Sequence, residues 1–169
     1  MTTITYRAGV MACDSCWTNG NECVDTLTTK IRRLAGGALL GQSGGNDGRV
    51  FEKLLDKVKT PTQLPAFEQL AAIRQDFLGL LVLPKGQVFK IATVLRSPET
   101  WGEDFAEDLG VWPIQAPFAA AGSGAELAIG AMAAGASARE AVAIACRYDI
   151  NSRLPLHSLT LNPGKRGKK

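Results

Sequence analysis

No apolar run in the sequence approaches the ~20 residues that a membrane-crossing helix needs. No basic segment followed by an apolar one stands at the start, so nothing there marks the chain for export. The expectation is a cytoplasmic protein with no membrane partner. Charge of either sign is not in excess: 19 Lys and Arg face 16 Asp and Glu, a net charge of +3. Such a balance does not demand nucleic acid or a lipid surface. Internal repeats are absent, and no change of composition marks a second domain. A hydrophobic content of 46% over 169 residues is ordinary and is enough for one real core.

Metal ligands are also sparse. There is one histidine, His157, and four cysteines, Cys13, Cys16, Cys23 and Cys146. A structural zinc site wants four ligands in paired spacing. Cys13-x-x-Cys16 and Cys23 lie close together, but the fourth ligand would have to be Cys146 or His157, far along the chain. A redox dithiol belongs at a helix N-terminus, and Asp14-Ser15 between the cysteines fits that poorly. We therefore expect no metal and no cofactor. Cys13 and Cys146 read as small buried hydrophobes, Cys16 and Cys23 as loop residues in a reducing compartment.

What is present is a strong start. Residues 3–7 alternate and are β-rich, Ala8-Gly9 turns, and residues 10–13 return, giving a hairpin that ends at Asp14. Residues 15–23, with Asn19-Gly20-Asn21, read as loop. A β-leaning run from Thr26 to Leu34 carries Lys30. Gly36-Gly37 turns it into a strand over 38–42, which Gly44-Gly45 ends. The spacing of Val50, Phe51, Leu54, Leu55 and Val58 predicts a helix over 46–59, capped by Asn46 or Asp47 and stopped at Thr60-Pro61. A second helix is expected from Pro65 to Gln75. Residues 77–83 and 88–94 form a hairpin around Pro84-Lys85-Gly86. For residues 96–116, with Glu99, Glu103, Asp104, Glu107 and Asp108, the expectation is a loop or short amphipathic helix at a subunit contact.

Further on, 118–121 is a strand leading into Gly122-Ser123-Gly124, followed by an Ala-rich helix over 125–134. Ser137-Ala138-Arg139-Glu140 is a capping box that opens a helix to Tyr148. Residues 153–161 give a last strand. Residues 163–169 form a basic tail, read as a solvated, disordered end rather than a nucleic-acid contact. Periodicity alone supports an α+β class.

The chemistry suggested by the start is nucleophilic. If Met1 is removed, Thr2 carries both a hydroxyl and a free α-amine. A threonine hydroxyl needs a base beside it, and the amine of the same residue can be that base. The unperturbed pKa of an α-amine is about 7.7–8.0, so a sizeable fraction is neutral near pH 7.

The order Thr2-Thr3-Ile4, the hairpin ending in Asp14-Ser15, Thr29-Lys30-Ile31-Arg32-Arg33-Leu34, Ser43-Gly44-Gly45, Gly122-Ser123-Gly124 and Asp149-Ile150-Asn151-Ser152 resembles the proteasome β-subunit and its bacterial HslV-type relative. Asp14 lies 12 residues after Thr2, and Lys30 lies 16 after Asp14. The resemblance implies a four-layer αββα sandwich, the fold of N-terminal-nucleophile hydrolases, over residues 1–162.

It also implies roles. Thr2 would be the nucleophile. Lys30 would lie beside its hydroxyl and lower the pKa values there, and Asp14 would pair with Lys30. Gly44 would offer its N–H to the oxyanion. Ser123, Asp149 and Ser152 would hydrogen-bond the α-amine and a nearby water. Taken singly, Ser123 and Asp149 also suit helix ends. Arg153 stands where proteasome subunits usually have glycine. A peptide would lie extended between the stretch at Thr18 and residues 43–46, adding a strand. Trp17, Thr28, Arg32, Gln42 and Asn46 would line a rather polar specificity pocket.

The function implied is that of a threonine endopeptidase, a homo-oligomer of two stacked rings with six or seven subunits each. It would act on unfolded polypeptide, with an ATP-dependent unfoldase as a possible partner. The alternative in the same fold is a ring protein, or a small-amide hydrolase, with little or no protease activity.

Overall fold

The structure, a computed structural model, describes residues 2–19, 22–26, 29–44, 49–66, 77–95 and 107–162. In chain order the strands are β1 (Thr3–Arg7), β2 (Val10–Cys13), β3 (Trp17–Asn19), β4 (Glu22–Asp25), β5 (Ile31–Arg33) and β6 (Leu39–Gly44), then β7 (Phe77–Val82), β8 (Val88–Leu95), β9 (Glu107–Ile114), β10 (Phe118–Gly122) and β11 (His157–Thr160). Among the described residues the helices are α1 (Arg49–Leu55), α2 (Ala125–Ala133) and α3 (Ala138–Tyr148), with a 3-10 turn at Pro61–Gln63.

Two antiparallel sheets stack. The first has the order β10-β1-β2-β11, the second β5-β6-β7-β8-β9, and β3 pairs with β4 in a small ribbon of its own. Period-two alternation in the strands decides what lies on each face. From the first sheet Ile4, Tyr6, Met11, Cys13, Ala119 and Ala121 point at the second, where they meet Ile31, Leu39, Leu80, Val82 and Val88. Gly41 lies in this interface because a Cβ there would press on Ile4 and Met11 at 2.7 and 3.1 Å. The intervening positions of the first sheet face the helices. Ala120 packs on Ala128, Met132 and Ala141, and Ala12 packs on Ala138 and Val142. Behind the second sheet, Leu40, Phe77, Leu81, Phe89 and Ile91 pack on Phe51 and Leu55 of α1. The layers are thus helix, sheet, sheet, helix, an α+β sandwich of the kind expected. Each fully buried Leu or Phe in it contributes roughly 1.5–3 kcal/mol.

Local signals explain several element ends. Ser137 accepts the Glu140 N–H at 3.3 Å and donates its own N–H to the Glu140 carboxylate at 2.8 Å. Those bonds hold the Glu140 carboxyl below its usual range. The turn after α2 needs Gly135 at φ +105.

Five expectations change. Residues 15–23 are not a loop throughout: Trp17–Asn19 pairs with Glu22–Asp25. Cys16 is fully buried rather than in an open loop, because its backbone is tied to Asp14 and Lys30. In place of a helix or loop, Glu107–Ile114 is the edge strand beside β8, where pairing along eight residues outweighs the acidic, amphipathic local pattern. Among the described residues the first helix covers Arg49–Leu55 and stops short of Lys59, and the last strand covers only His157–Thr160. The rest of the second expected helix, over 67–75, the stretch 96–106 and the basic tail 163–169 lie outside the described residues.

Candidate active site

Asp14 follows β2 directly, and the β1–β2 ladder fixes it. Its N–H donates to the Thr3 carbonyl at 3.1 Å, and the Thr3 N–H donates back to its Oδ1 at 2.9 Å. The carboxylate is fully buried. A buried charge is tolerated only when it is paired and hydrogen-bonded. Asp14 meets that condition with four partners: the N–H groups of Thr3, of Cys16 at 2.9 Å and of Arg153 at 3.3 Å, and the ammonium of Lys30. Lys30 Nζ lies 3.1 Å from Oδ1 and 3.3 Å from Oδ2, and it also donates to the Cys16 carbonyl. Lys30 is itself only 6% exposed. It stands just before β5, and its carbonyl takes the Gln42 N–H at 3.0 Å.

A second cluster forms on the other side of the Thr2–Thr3 backbone. Gly122, the last residue of β10, sits opposite Thr3 with φ +99, and a Cβ there would overlap the Thr2 carbonyl. The next residue, Ser123, has its hydroxyl 3.4 Å from that carbonyl oxygen and donates to Asp149 Oδ2 at 2.7 Å. Asp149 caps the C-terminus of α3. Its Oδ2 also accepts the Ser152 hydroxyl at 2.6 Å, and its Oδ1 accepts the Asn151 N–H at 3.1 Å. Burial pushes the Asp149 carboxyl up. The hydrogen bonds from Ser152, Ser123 and Asn151 outweigh that and hold it below its ordinary range. Ser123 therefore does not cap α2 with its side chain, whereas Asp149 is both a helix end and an acceptor.

The structure thus brings Asp14 and Lys30 together, and Ser123, Asp149 and Ser152 together, with Thr2 and Thr3 passing between the two groups. Thr2 is 1% exposed. Gly44 ends β6 opposite Phe77. Arg153, where the resemblance led us to expect glycine, serves Asp14 through its N–H, and its carbonyl accepts the Ser15 N–H at 3.1 Å.

The residues expected to touch substrate are more scattered. Trp17 is 43% exposed on β3, and Thr18 follows it in the same strand. Arg32, expected in the specificity pocket, is ion-paired to Glu52 of α1. The Oε1 of Gln42 is buried with no hydrogen-bond partner among the described residues. Thr28 and Asn46 lie outside the described residues. Sequence reasoning missed three contributors: the Thr3 side chain, the Cys16 carbonyl and Glu52. Only Thr3 left a signal, as a second polar residue in register with Thr5 on one face of a buried strand.

No family model matches the sequence, and no curated protein matches it. Solved structures do. A structure of BPH from Thiobacillus denitrificans in complex with epoxomicin aligns over 96% of this chain and 99% of its own, at 21% identity and a TM-score of 0.60. A second structure of BPH from the same organism aligns over the same shares, at 21% identity and a TM-score of 0.61. Eukaryotic HslV from Trypanosoma brucei aligns over 94% of this chain and 98% of its own, at 17% identity and a TM-score of 0.62. The chain has the N-terminal-nucleophile hydrolase fold. More narrowly, it has the fold of the HslV-type, proteasome-like proteins.

Proposed function

We propose that the chain is a threonine-type peptidase subunit of the proteasome and HslV kind, with Thr2 as nucleophile once Met1 is removed. One observation carries this reading. The backbone of Thr2 and Thr3 runs between a buried lysine–carboxylate pair and a carboxylate fed by two serine hydroxyls. Neither group is needed to hold two strands together, and a solvated terminus would need neither.

In the proposed reaction the free amine of Thr2 takes the proton of the Thr2 hydroxyl. The oxygen adds to the peptide carbonyl, and the charge that forms there is met by the Gly44 N–H, a type of contact worth about 3–4 kcal/mol. Collapse breaks the C–N bond. The leaving amine takes the proton from the Thr2 ammonium, and an ester remains on Thr2. Water, deprotonated by the same amine, then hydrolyses the ester and frees Thr2. Lys30 favours the less protonated forms at the nucleophile through its charge, and Asp14 fixes its position. Ser123, Asp149 and Ser152 orient the amine and the water.

The substrate is unfolded polypeptide, bound as an added strand along Thr18 and the end of β6, with Trp17, Thr28, Arg32, Gln42 and Asn46 around the side chain next to the cut. The assembly is two stacked rings of six or seven copies, served in the cell by an ATP-dependent unfoldase. The exposed Leu127 and Ile129 on α2 and Ile144 and Tyr148 on α3 support burial of those helices against further copies.

The test uses the trimmed protein and epoxomicin, the compound carried by the T. denitrificans neighbour. Peptide hydrolysis and a covalent mass increase on Thr2 are expected, and both vanish in Thr2→Ala. An alanine variant with normal turnover removes Thr2 from the mechanism. A ring protein without turnover in either form supports the inactive relative instead.

A further inference from the structure

Thr3 has two roles in the structure, and the β1 ladder accounts for neither of its bonds beyond the strand. Its N–H goes to Asp14 Oδ1 at 2.9 Å, into the cluster that holds Lys30. Its hydroxyl lies 2.7 Å from Ser152 Oγ, in the cluster that holds Asp149. Both side chains are fully buried. The direction of the second bond follows from proton counting. The single hydroxyl hydrogen of Ser152 goes to Asp149 Oδ2 at 2.6 Å, so Ser152 can only accept from Thr3. A one-way chain results: Thr3 donates to Ser152, Ser152 donates to Asp149, and Ser123 donates to the same Asp149 oxygen. Hydrogen bonds in such a chain strengthen one another in a buried setting.

The fold reserves space for this chain. A Cβ on Gly124 would overlap the Thr3 hydroxyl and stand 3.2 Å from Asp149 Oδ2. Gly124 has φ −86, which any residue adopts. Glycine is therefore required there for room and not for backbone conformation. The charged groups around Thr3 are Asp14 and Lys30 on one side and Asp149 on the other, with the Arg153 backbone joined to Asp14.

We propose that Thr3 is a positioning residue that couples the Asp14–Lys30 pair to the Ser152–Asp149 chain, and so fixes Thr2 between its lysine and the groups that hold its amine. This rests on the peptidase reading above. The hydroxyl of Thr3 does not react. It sets where the Asp149 charge and the Thr2 backbone lie, and both govern how readily the amine gives up and takes a proton.

The test compares Thr3→Val, Thr3→Ser and Gly124→Ala with Thr5→Val as a control. Thr5 lies on the same strand and face, is equally buried, and donates its hydroxyl to the Ala138 carbonyl at 2.9 Å. Each valine loses one buried hydroxyl bond, so the two should lose similar thermal stability. In Thr3→Val we expect kcat to fall about ten- to a hundred-fold with little change in KM. The acid limb of its rate profile moves to higher pH, because a less well solvated Asp149 holds the ammonium more tightly. Thr3→Ser restores both. Gly124→Ala repeats the valine result by displacing the hydroxyl. Thr5→Val keeps the wild-type profile. A wild-type profile in Thr3→Val, or the same shift in Thr5→Val, overturns the proposal and leaves the peptidase reading intact. A wild type that neither turns over nor reacts with epoxomicin at Thr2 overturns both.

Discussion

Lys30 and the backbone of Thr3 meet on one oxygen. Asp14 Oδ1 accepts the Thr3 N–H at 2.9 Å and lies 3.1 Å from Lys30 Nζ. The lysine is therefore tied to the start of the chain through that carboxylate, while Asp14 also binds three backbone N–H groups. This makes the two partners unequal, and the inequality can be measured.

Asp14→Ala strips the acceptor from three backbone N–H groups and leaves the Lys30 ammonium buried, at a cost of about 3–5 kcal/mol. Lys30→Ala leaves Asp14 with its three N–H donors, so roughly 1–3 kcal/mol is expected. Both variants lose peptide hydrolysis, but only the aspartate variant should unfold readily. Lys30→Arg should not rescue activity, since a planar guanidinium does not replace a compact ammonium between Asp14 and the Cys16 carbonyl. Denaturant melts and turnover assays check all three. A fully active arginine variant would show that the fit of Lys30 to Thr2 is wrong.

Gln42 yields a prediction about specificity. Its buried Oε1 has no partner among the described residues, and an unmet polar atom of this kind costs about 1–3 kcal/mol. A substrate side chain with an N–H donor removes that cost, and an apolar isostere does not. We expect peptides with glutamine at the position before the cut to be turned over about ten- to a hundred-fold better than those with methionine. Gln42→Leu should reverse the order. Equal kcat/KM values for the two peptides, unchanged by the substitution, would take Gln42 out of the pocket.

Cys13 and Cys146 should be quiet in the native protein. Burial pushes Cys13 up to about 11, against an ordinary value of 9.0, with smaller effects from the Lys30 and His157 backbones and from Asp14 and Lys30. Burial likewise raises Cys146 to about 11. At pH 8 the thiolate fraction in the fold is thus far smaller than in the unfolded chain, and alkylation by iodoacetamide should speed up sharply on unfolding. The sign for stability follows. The unfolded chain releases these protons first, so stability is lost as pH rises from about 9 toward 11. Cys146, only half-buried, should react before Cys13. Rapid native labelling of Cys13 would contradict its place between the sheets.

Much of this was legible from local pattern. Alternation at Thr3-Ile4-Thr5-Tyr6 and the turn Ala8-Gly9 place the first hairpin, and the Ser137–Glu140 box opens α3 where expected. What the pattern did not carry was long-range. Whether Glu107–Ile114 is strand or loop is decided by β8, which the local sequence does not contain. The pairing of Arg32 with Glu52 depends on how α1 lies across the second sheet. The site behaved in the same way: Asp14, Ser123, Asp149 and Ser152 were visible one by one, but the bond from Thr3 to Ser152 joins positions 149 residues apart.

The last prediction separates this chemistry from that of an ordinary serine or threonine hydrolase. If the Thr2 amine is the base, blocking it must stop turnover although every side chain remains. Retaining Met1 does this, because the nitrogen becomes an amide with no basicity near pH 7. The two preparations to compare are one with Met1 retained and one with Thr2 freed from a removable leader. Only the second should hydrolyse peptides. Its rate should fall on the acid side as the amine takes a proton, starting from an ordinary value of about 7.7–8.0. Asp149 is not the cause of that fall. Its carboxyl is held below its ordinary range by its hydrogen bonds, so it stays charged across the range in which the amine titrates. Asp149→Asn should therefore lower the rate and shift the acid limb to lower pH, since a neutral amide no longer favours the ammonium. Equal turnover by the two preparations would sink the N-terminal-nucleophile mechanism, whatever the fold.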